Sequence, residues 1–123
     1  MAVHRWCVTV YVQRLTFLDA SDNNIELLPP KFGDLKWLRV ARLSRNQIVD
    51  MRPFVGLTNC EELDLSQNKI VQIPDTIPSM ASLVTLDLSY NSLSALPPAI
   101  CSVSICEIFH HVTYCISVFS RTL

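Results

Sequence analysis

The sequence predicts an α/β solenoid, with a short parallel sheet along its concave side and irregular or short helical returns behind it. Three observations predict this. One eleven-residue pattern, L-x-x-L-x-L-x-x-N-x-L, occurs four times: LTFLDASDNNI from Leu15 to Ile25, LRVARLSRNQI from Leu38 to Ile48, CEELDLSQNKI from Cys60 to Ile70, and LVTLDLSYNSL from Leu83 to Leu93. The copies start 23, 22 and 23 residues apart, a period that belongs to stacked repeats. Apolar residues alternate within each copy, as they do along a half-buried strand. A β-sandwich, the main rival for so apolar a chain, would scatter its turns between antiparallel strands rather than repeat one phase.

The alternation assigns the two faces of each strand. Leu18 and Ala20 point inward, as do Ala41 and Leu43, Leu63 and Leu65, and Leu86 and Leu88. The strands centre near residues 17–19, 40–42, 62–64 and 85–87. No copy can bury its apolar face alone, so each needs a neighbour. Parallel crossovers predict a right-handed coil.

Asn23, Asn46, Asn68 and Asn91 fall where the chain leaves each strand. An amide both donates and accepts, so it can satisfy backbone groups in the turn that no ladder reaches. The fixed phase points to a structural role. After the turn a second apolar series follows: Leu28, Phe32 and Leu35, then Met51, Phe54 and Leu57, then Ile73, Ile77 and Met80, then Leu96, Ile100 and Val103. The second series is one residue shorter between Met51 and Phe54. Pro29, Pro74 and Pro97 follow the first apolar residue in three copies, with Arg52-Pro53 in the other. Proline lacks the N–H that a regular helix needs, so long helices are not expected there.

The ends depart from the pattern. In residues 1–14 Val8, Val10 and Val12 alternate with Thr9, Tyr11 and Gln13, which suggests a degenerate N-terminal strand or cap beside the first repeat. His4, Arg5 and Trp6 interrupt what would be a secretory leader. Repeats occupy 15–103. Residues 104–123 carry His111 and Tyr114 where leucine and asparagine are due, and read as an atypical C-terminal cap or a replacement tail. No stretch is long enough to span a bilayer.

Composition bounds the function. A chain of 123 residues with a net charge of −1 has room for one solenoid segment but not for a separate catalytic domain. Near-neutral charge is a poor footprint for nucleic acid. Glycine is scarce and no phosphate-cradling loop occurs, so no cofactor is expected. The five cysteines are odd in number, and Cys60 takes a core position. Reduced thiols in a cytoplasmic protein follow. Cys106, His110, His111 and Cys115 offer zinc-ligand chemistry, yet their spacing matches no zinc module and adjacent histidines on a strand face opposite ways. The same residues lack an oxyanion hole and an orienting group for thiol catalysis. No metal site and no catalytic residues are expected.

These motifs resemble the leucine-rich repeat family. The L-x-x-L-P continuation, seen as Ile25-x-x-Leu28-Pro29, Ile70-x-x-Ile73-Pro74 and Leu93-x-x-Leu96-Pro97, is similar to its intracellular branch, which includes Shoc2, Scribble and erbin. Ala20 and Ala41 stand where that family has large core residues, and Cys60 replaces a leucine. The resemblance implies a non-catalytic module that binds another protein on its concave sheet, in intracellular signalling or scaffolding, with any membrane association made through partners. Two alternatives stand beside it: a truncated or isoform fragment with little binding of its own, and the regulatory part of a larger enzyme.

Strand register names the outward residues available to a partner. One row holds Phe17, Val40, Glu62 and Thr85, and the next Asp19, Arg42, Asp64 and Asp87. Toward the turns the row is Asp22, Arg45, Gln67 and Tyr90. Arg42 is expected between Asp19 and Asp64, about 4.8 Å from each along the sheet. Tyr90 is the aromatic anchor, a residue type enriched at interface hot spots.

Overall fold

A computed structural model of the chain describes residues 14–94. Of the expected N-terminal strand or cap at residues 1–14 only Arg14 is described; the fourth return with Leu96, Ile100 and Val103 and the tail at 104–123 lie outside the described residues, as do the cysteine–histidine group and His4.

Four three-residue strands form where the alternation places them: β1 (Phe17–Asp19), β2 (Val40–Arg42), β3 (Glu62–Asp64) and β4 (Thr85–Asp87). They make one parallel sheet in chain order. Leu18 pairs with Ala41, Ala41 with Leu63, and Leu63 with Leu86. Parallel pairing of β3 and β4 excludes the β-sandwich, which needs these strands antiparallel.

The inward residues form a continuous core. Ala41, Leu43, Leu63, Leu65 and Leu86 are fully buried, and Ala20 and Leu88 nearly so. Leu18, in the first repeat, is partly buried against the same cluster. Cys60 is fully buried in the place of a leucine. Burying each of these larger side chains contributes about 1.5–3 kcal/mol before chain entropy is counted.

The returns are short 3-10 turns: η1 (Pro30–Asp34), η2 (Arg52–Gly56) and η3 (Ile77–Ser79). Each buries one large apolar residue at its centre or start: Phe32, Phe54 and Ile77. The bonds are i→i+3: the N–H of Phe32, Phe54 and Ile77 donates to the carbonyls of Pro29, Met51 and Pro74, at 2.9, 3.1 and 3.1 Å. Proline at the first or second position costs nothing there, because those N–H groups have no partner within the turn. The shorter second repeat is explained by the same bonds. Met51 fills the core place of Leu28 and Ile73 and also supplies the carbonyl that Pro29 and Pro74 supply elsewhere.

The two glycines of the chain meet at the junction of η1 and η2. A Cβ on Gly33 would lie 3.0 Å from the Pro53 carbonyl oxygen, and one on Gly56 would lie 3.0 Å from the Gly33 Cα. Backbone packs on backbone here. Beside them the Phe32 and Phe54 rings meet edge to face, with centroids 5.3 Å apart. The Lys36 ammonium donates to both glycine carbonyls, each at 3.2 Å.

Asn46, Asn68 and Asn91 each fasten their turn to the repeat before it. Asn46 Nδ2 donates to the carbonyls of Leu43 and Ser44 in its own repeat and of Ala20 in the previous one. Its Oδ1 accepts the Ile25 N–H at 3.0 Å. Asn68 does the same with Leu65, Ser66, Leu43 and the Ile48 N–H. Asn91 repeats it with Leu88, Ser89, Leu65 and the Ile70 N–H. Asn23 bonds the Ala20 and Ser21 carbonyls of its own repeat. Among the described residues no buried side-chain nitrogen or oxygen lacks a partner.

Candidate functional site

The sheet face is built by register. Phe17, Val40, Glu62 and Thr85 are direct neighbours across the four strands, and so are Asp19, Arg42, Asp64 and Asp87. Asp22, Arg45, Gln67 and Tyr90 form the rim. All four have left-handed backbone, with φ of 58°, 55°, 55° and 57°. None is glycine, so each turn carries a modest conformational cost and each presents a side chain at the rim. The strand and rim residues named from the sequence therefore share one face. Phe17 and Tyr90, at 49% and 59% exposure, stand at its opposite ends.

The charges pair differently from the sequence expectation. Arg42 does lie between Asp19 and Asp64 in register, but its Nε donates to Glu62 Oε1 at 3.1 Å, and its guanidinium lies over the Phe17 ring, 5.4 Å from the centroid. The aspartates are turned to their own chains. Asp64 Oδ1 accepts the Ser66 N–H at 3.0 Å and its hydroxyl at 2.7 Å, and Asp87 Oδ1 accepts the Ser89 N–H at 3.0 Å and its hydroxyl at 2.6 Å. Asp19 Oδ1 accepts the Ser21 N–H at 3.0 Å. The Ser21 backbone N–H, then its hydroxyl, holds the Asp19 carboxyl below the usual carboxylate range. A carboxylate two residues before a serine makes an Asx-type turn, and the D-x-S spacing in three repeats is the signal that could have shown it.

Residues just outside the named rows join the face. Arg39 Nη1 approaches Glu61 Oε2 at 3.5 Å. Arg45 grips Asp22 with two nitrogens, Nε on Oδ1 and Nη2 on Oδ2, the latter at 2.7 Å. The hydrogen bond from the guanidinium lowers the Asp22 carboxyl, and the carboxylate in turn raises the Arg45 guanidinium. Val84 is 59% exposed in the column that also holds Arg39 and Glu61. A shallow recess of about 540 Å³ opens beside the rim, with Gln67, Asn68, Lys69 and Tyr90 among its walls.

Reactive chemistry is sparse among the described residues. No group of three or more histidine, cysteine or acidic side chains there could hold a metal ion. Burial pushes the Cys60 thiol up to about 11, and the S–H donates to the Glu62 carbonyl at 3.3 Å. A thiol so shielded is a poor nucleophile. No helix among the described residues is long and apolar enough to cross a membrane.

Residues 38–93 match the family described as "Leucine rich repeat", and residues 14–35 match a second description of the same repeat. The chain belongs to the leucine-rich repeat family. Similar proteins include "Leucine-rich repeat serine/threonine-protein kinase 1" of Mus musculus, 30% identical over 80% of this chain and 5% of that protein. "Protein flightless-1 homolog" of Caenorhabditis elegans is 31% identical over 70% of this chain and 7% of its own length. The chain thus spans a small part of these relatives. Among solved structures, a leucine-rich repeat protein of Leptospira interrogans is 29% identical and superposes with a TM-score of 0.65 over 80% of this chain and 29% of that one. An internalin of Listeria monocytogenes shares the fold at a TM-score of 0.60 and 21% identity, covering 84% of this chain and 34% of its own. A leucine-rich repeat of this type is a protein-interaction module and is generally non-catalytic, even where it forms part of a larger enzyme.

Proposed function

We propose that this chain is a non-catalytic protein-binding module that works by presenting the sheet face, in an intracellular signalling or scaffold protein. The observation that carries the reading is the face itself. Short strands fixed in register hold Val40, Glu62, Thr85 and their neighbours outward, and the asparagine ladder fixes the rim behind them. A rigid surface with aromatic residues at both ends loses little entropy when a partner docks. The module regulates a partner by holding it. The cytoplasm suits its odd cysteine count, and contact with membranes would come through partners.

The test is a pull-down at physiological salt followed by calorimetry on the captured partner. Arg42→Glu on the face is expected to change its affinity severalfold or more, because a charge is reversed within the contact. Lys31→Glu, on the exposed side of η1, is expected to leave it unchanged. Loss of binding from the η1 change alone removes the sheet-face reading.

A second reading has support of its own: these repeats are the regulatory part of a larger enzyme. Relatives named as enzymes include the mouse kinase above and "Adenylate cyclase" of Schizosaccharomyces pombe, 33% identical over 74% of this chain and 6% of that protein. A transcript that runs from these repeats into catalytic sequence supports it. One that holds repeats only removes it.

A further inference from the structure

The charges on the sheet face are unevenly spent. The second repeat contributes Arg39, Arg42 and Arg45, and each is engaged by a neighbour: Glu61, Glu62 and Asp22 respectively. Asp64 and Asp87 are different. They are direct register neighbours on β3 and β4, so their strands lie about 4.8 Å apart. Like charges placed opposite one another on neighbouring strands are unfavourable unless a cation lies between them. Among the described residues neither forms an ion pair. Arg45 feels Asp64 as an attraction well behind its contact with Asp22.

Each of these carboxylates is also held in place. Oδ1 is fixed by a serine N–H and hydroxyl in both, and the two residues are half-buried. An orientation set in advance need not be ordered at binding. Thr85 lies in the next row of the same strands, and Tyr90 stands exposed on the rim three residues past Asp87. A tyrosine face is a good seat for a guanidinium. Lys69 lies beyond the rim, in the recess with Tyr90, and limits the acidic area on that side.

We propose that the β3–β4 half of the sheet face receives an extended, positively charged segment of a partner protein, with a lysine or arginine of that segment set between Asp64 and Asp87. The proposal rests on the sheet face being the binding surface, and it names the partner's chemistry. Charge complementarity selects the occupant. The face as a whole sets Asp19, Asp22, Glu61, Glu62, Asp64 and Asp87 against the arginines of one repeat, so it repels phosphate surfaces and attracts cations. A bare divalent ion is a poorer fit: calcium takes six to eight oxygens, and one oxygen of each aspartate is already committed to serine. An open sheet suits a segment laid across the strands, with alternate side chains directed at the face.

The test uses the full chain and two synthetic peptides, one alternating arginine with serine and the other glutamate with serine. Calorimetry is expected to show binding of the arginine peptide and none of the glutamate peptide. The double variant Asp64→Asn with Asp87→Asn keeps an oxygen for each serine and removes both charges. It is expected to weaken the arginine peptide by about tenfold or more, while Lys31→Glu has no effect. Tyr90→Ala is expected to weaken it less. Thermal melts of each variant check that the fold is intact. Equal affinity of parent and double variant overturns the proposal, and so does binding of neither peptide. Binding of the glutamate peptide, abolished by Arg42→Ala, overturns the basic partner but leaves the sheet face standing. Binding that follows Lys31→Glu overturns both.

Discussion

The junction between the first and second repeats and the junction between the second and third follow one pattern with different chemistry. At the first, the sheet interior is small: Leu18 faces Ala41, with Ala20 beside them. The return behind it is large and close, with Phe32 on Phe54 and Gly33 on Gly56. At the other, the sheet interior is larger, Ala41 on Leu63 with the buried Leu43 and Leu65 beside them, and the return carries Ile77. Ser79 takes the place of Gly56 there, and its hydroxyl reaches back to the Val55 carbonyl at 3.0 Å. Volume missing from the sheet is supplied by the return. Cores tolerate such exchange when total volume is kept. The alanines are therefore half of a matched pair of layers, the aromatic returns being the other half.

Truncating the aromatic layer should break the first junction most. Phe54 is fully buried, and Phe54→Ala is expected to cost about 3–5 kcal/mol, read by urea titration. Ile77→Val in the other return should cost about 0.5–1.5 kcal/mol. Equal losses would mean the two returns carry similar weight and would dissolve the contrast.

The asparagine ladder sharpens the comparison along the chain. Asn68→Ala leaves the Ile48 N–H and three carbonyls without their partner, at an expected cost of about 1–3 kcal/mol. Asn23→Ala breaks only the two described bonds within its own repeat and should cost less. Amide hydrogen exchange at Ile48 would report the first change directly. Unchanged protection there would remove the cross-repeat role.

Backbone contact gives a smaller test. Gly33→Ala or Gly56→Ala forces a methyl against main chain at about the closest distance allowed, so overpacking of about 1–3 kcal/mol is expected. Ser79→Ala, at the matching place in the other return, removes one exposed bond and should fall within about 0.5 kcal/mol. A neutral Gly56→Ala would show that the returns can separate freely.

The smallest effect belongs to the Asp22–Arg45 pair, which is exposed on both sides. The folded carboxyl sits below its ordinary value, so its contribution is present above the ordinary carboxylate pKa and is lost as pH falls through the folded value. Arg45→Ala should flatten that acid-side loss slightly, and salt should do the same to the parent. A difference between parent and variant at neutral pH in high salt, as large as that from Asn68→Ala, would overturn the assignment of this pair as minor.

Strand positions, the inward leucines and the outward rows were legible because each depends on a period. A strand alternates every two residues, and the repeat returns every 22 or 23, so phase alone fixes direction. The turn asparagines were legible for the same reason. Arg42 shows where phase stops. Register puts it between Asp19 and Asp64, but a long side chain chooses among several neighbours within reach, and Asp19 and Asp64 were already bound to serines. Glu62 and the Phe17 ring were left to receive it.

By itself, then, the sequence determined the repeat, its strands, its turn residues and the face that looks outward, because these follow from local spacing copied along the chain. Tertiary structure alone decided what crosses between copies. The Gly33–Gly56 contact, the Phe32–Phe54 pair and the division of the face into engaged arginines and unpaired aspartates depend on distances between residues about one repeat apart. No pattern within a single copy contains those distances. They are set when neighbouring copies pack to fill the same volume.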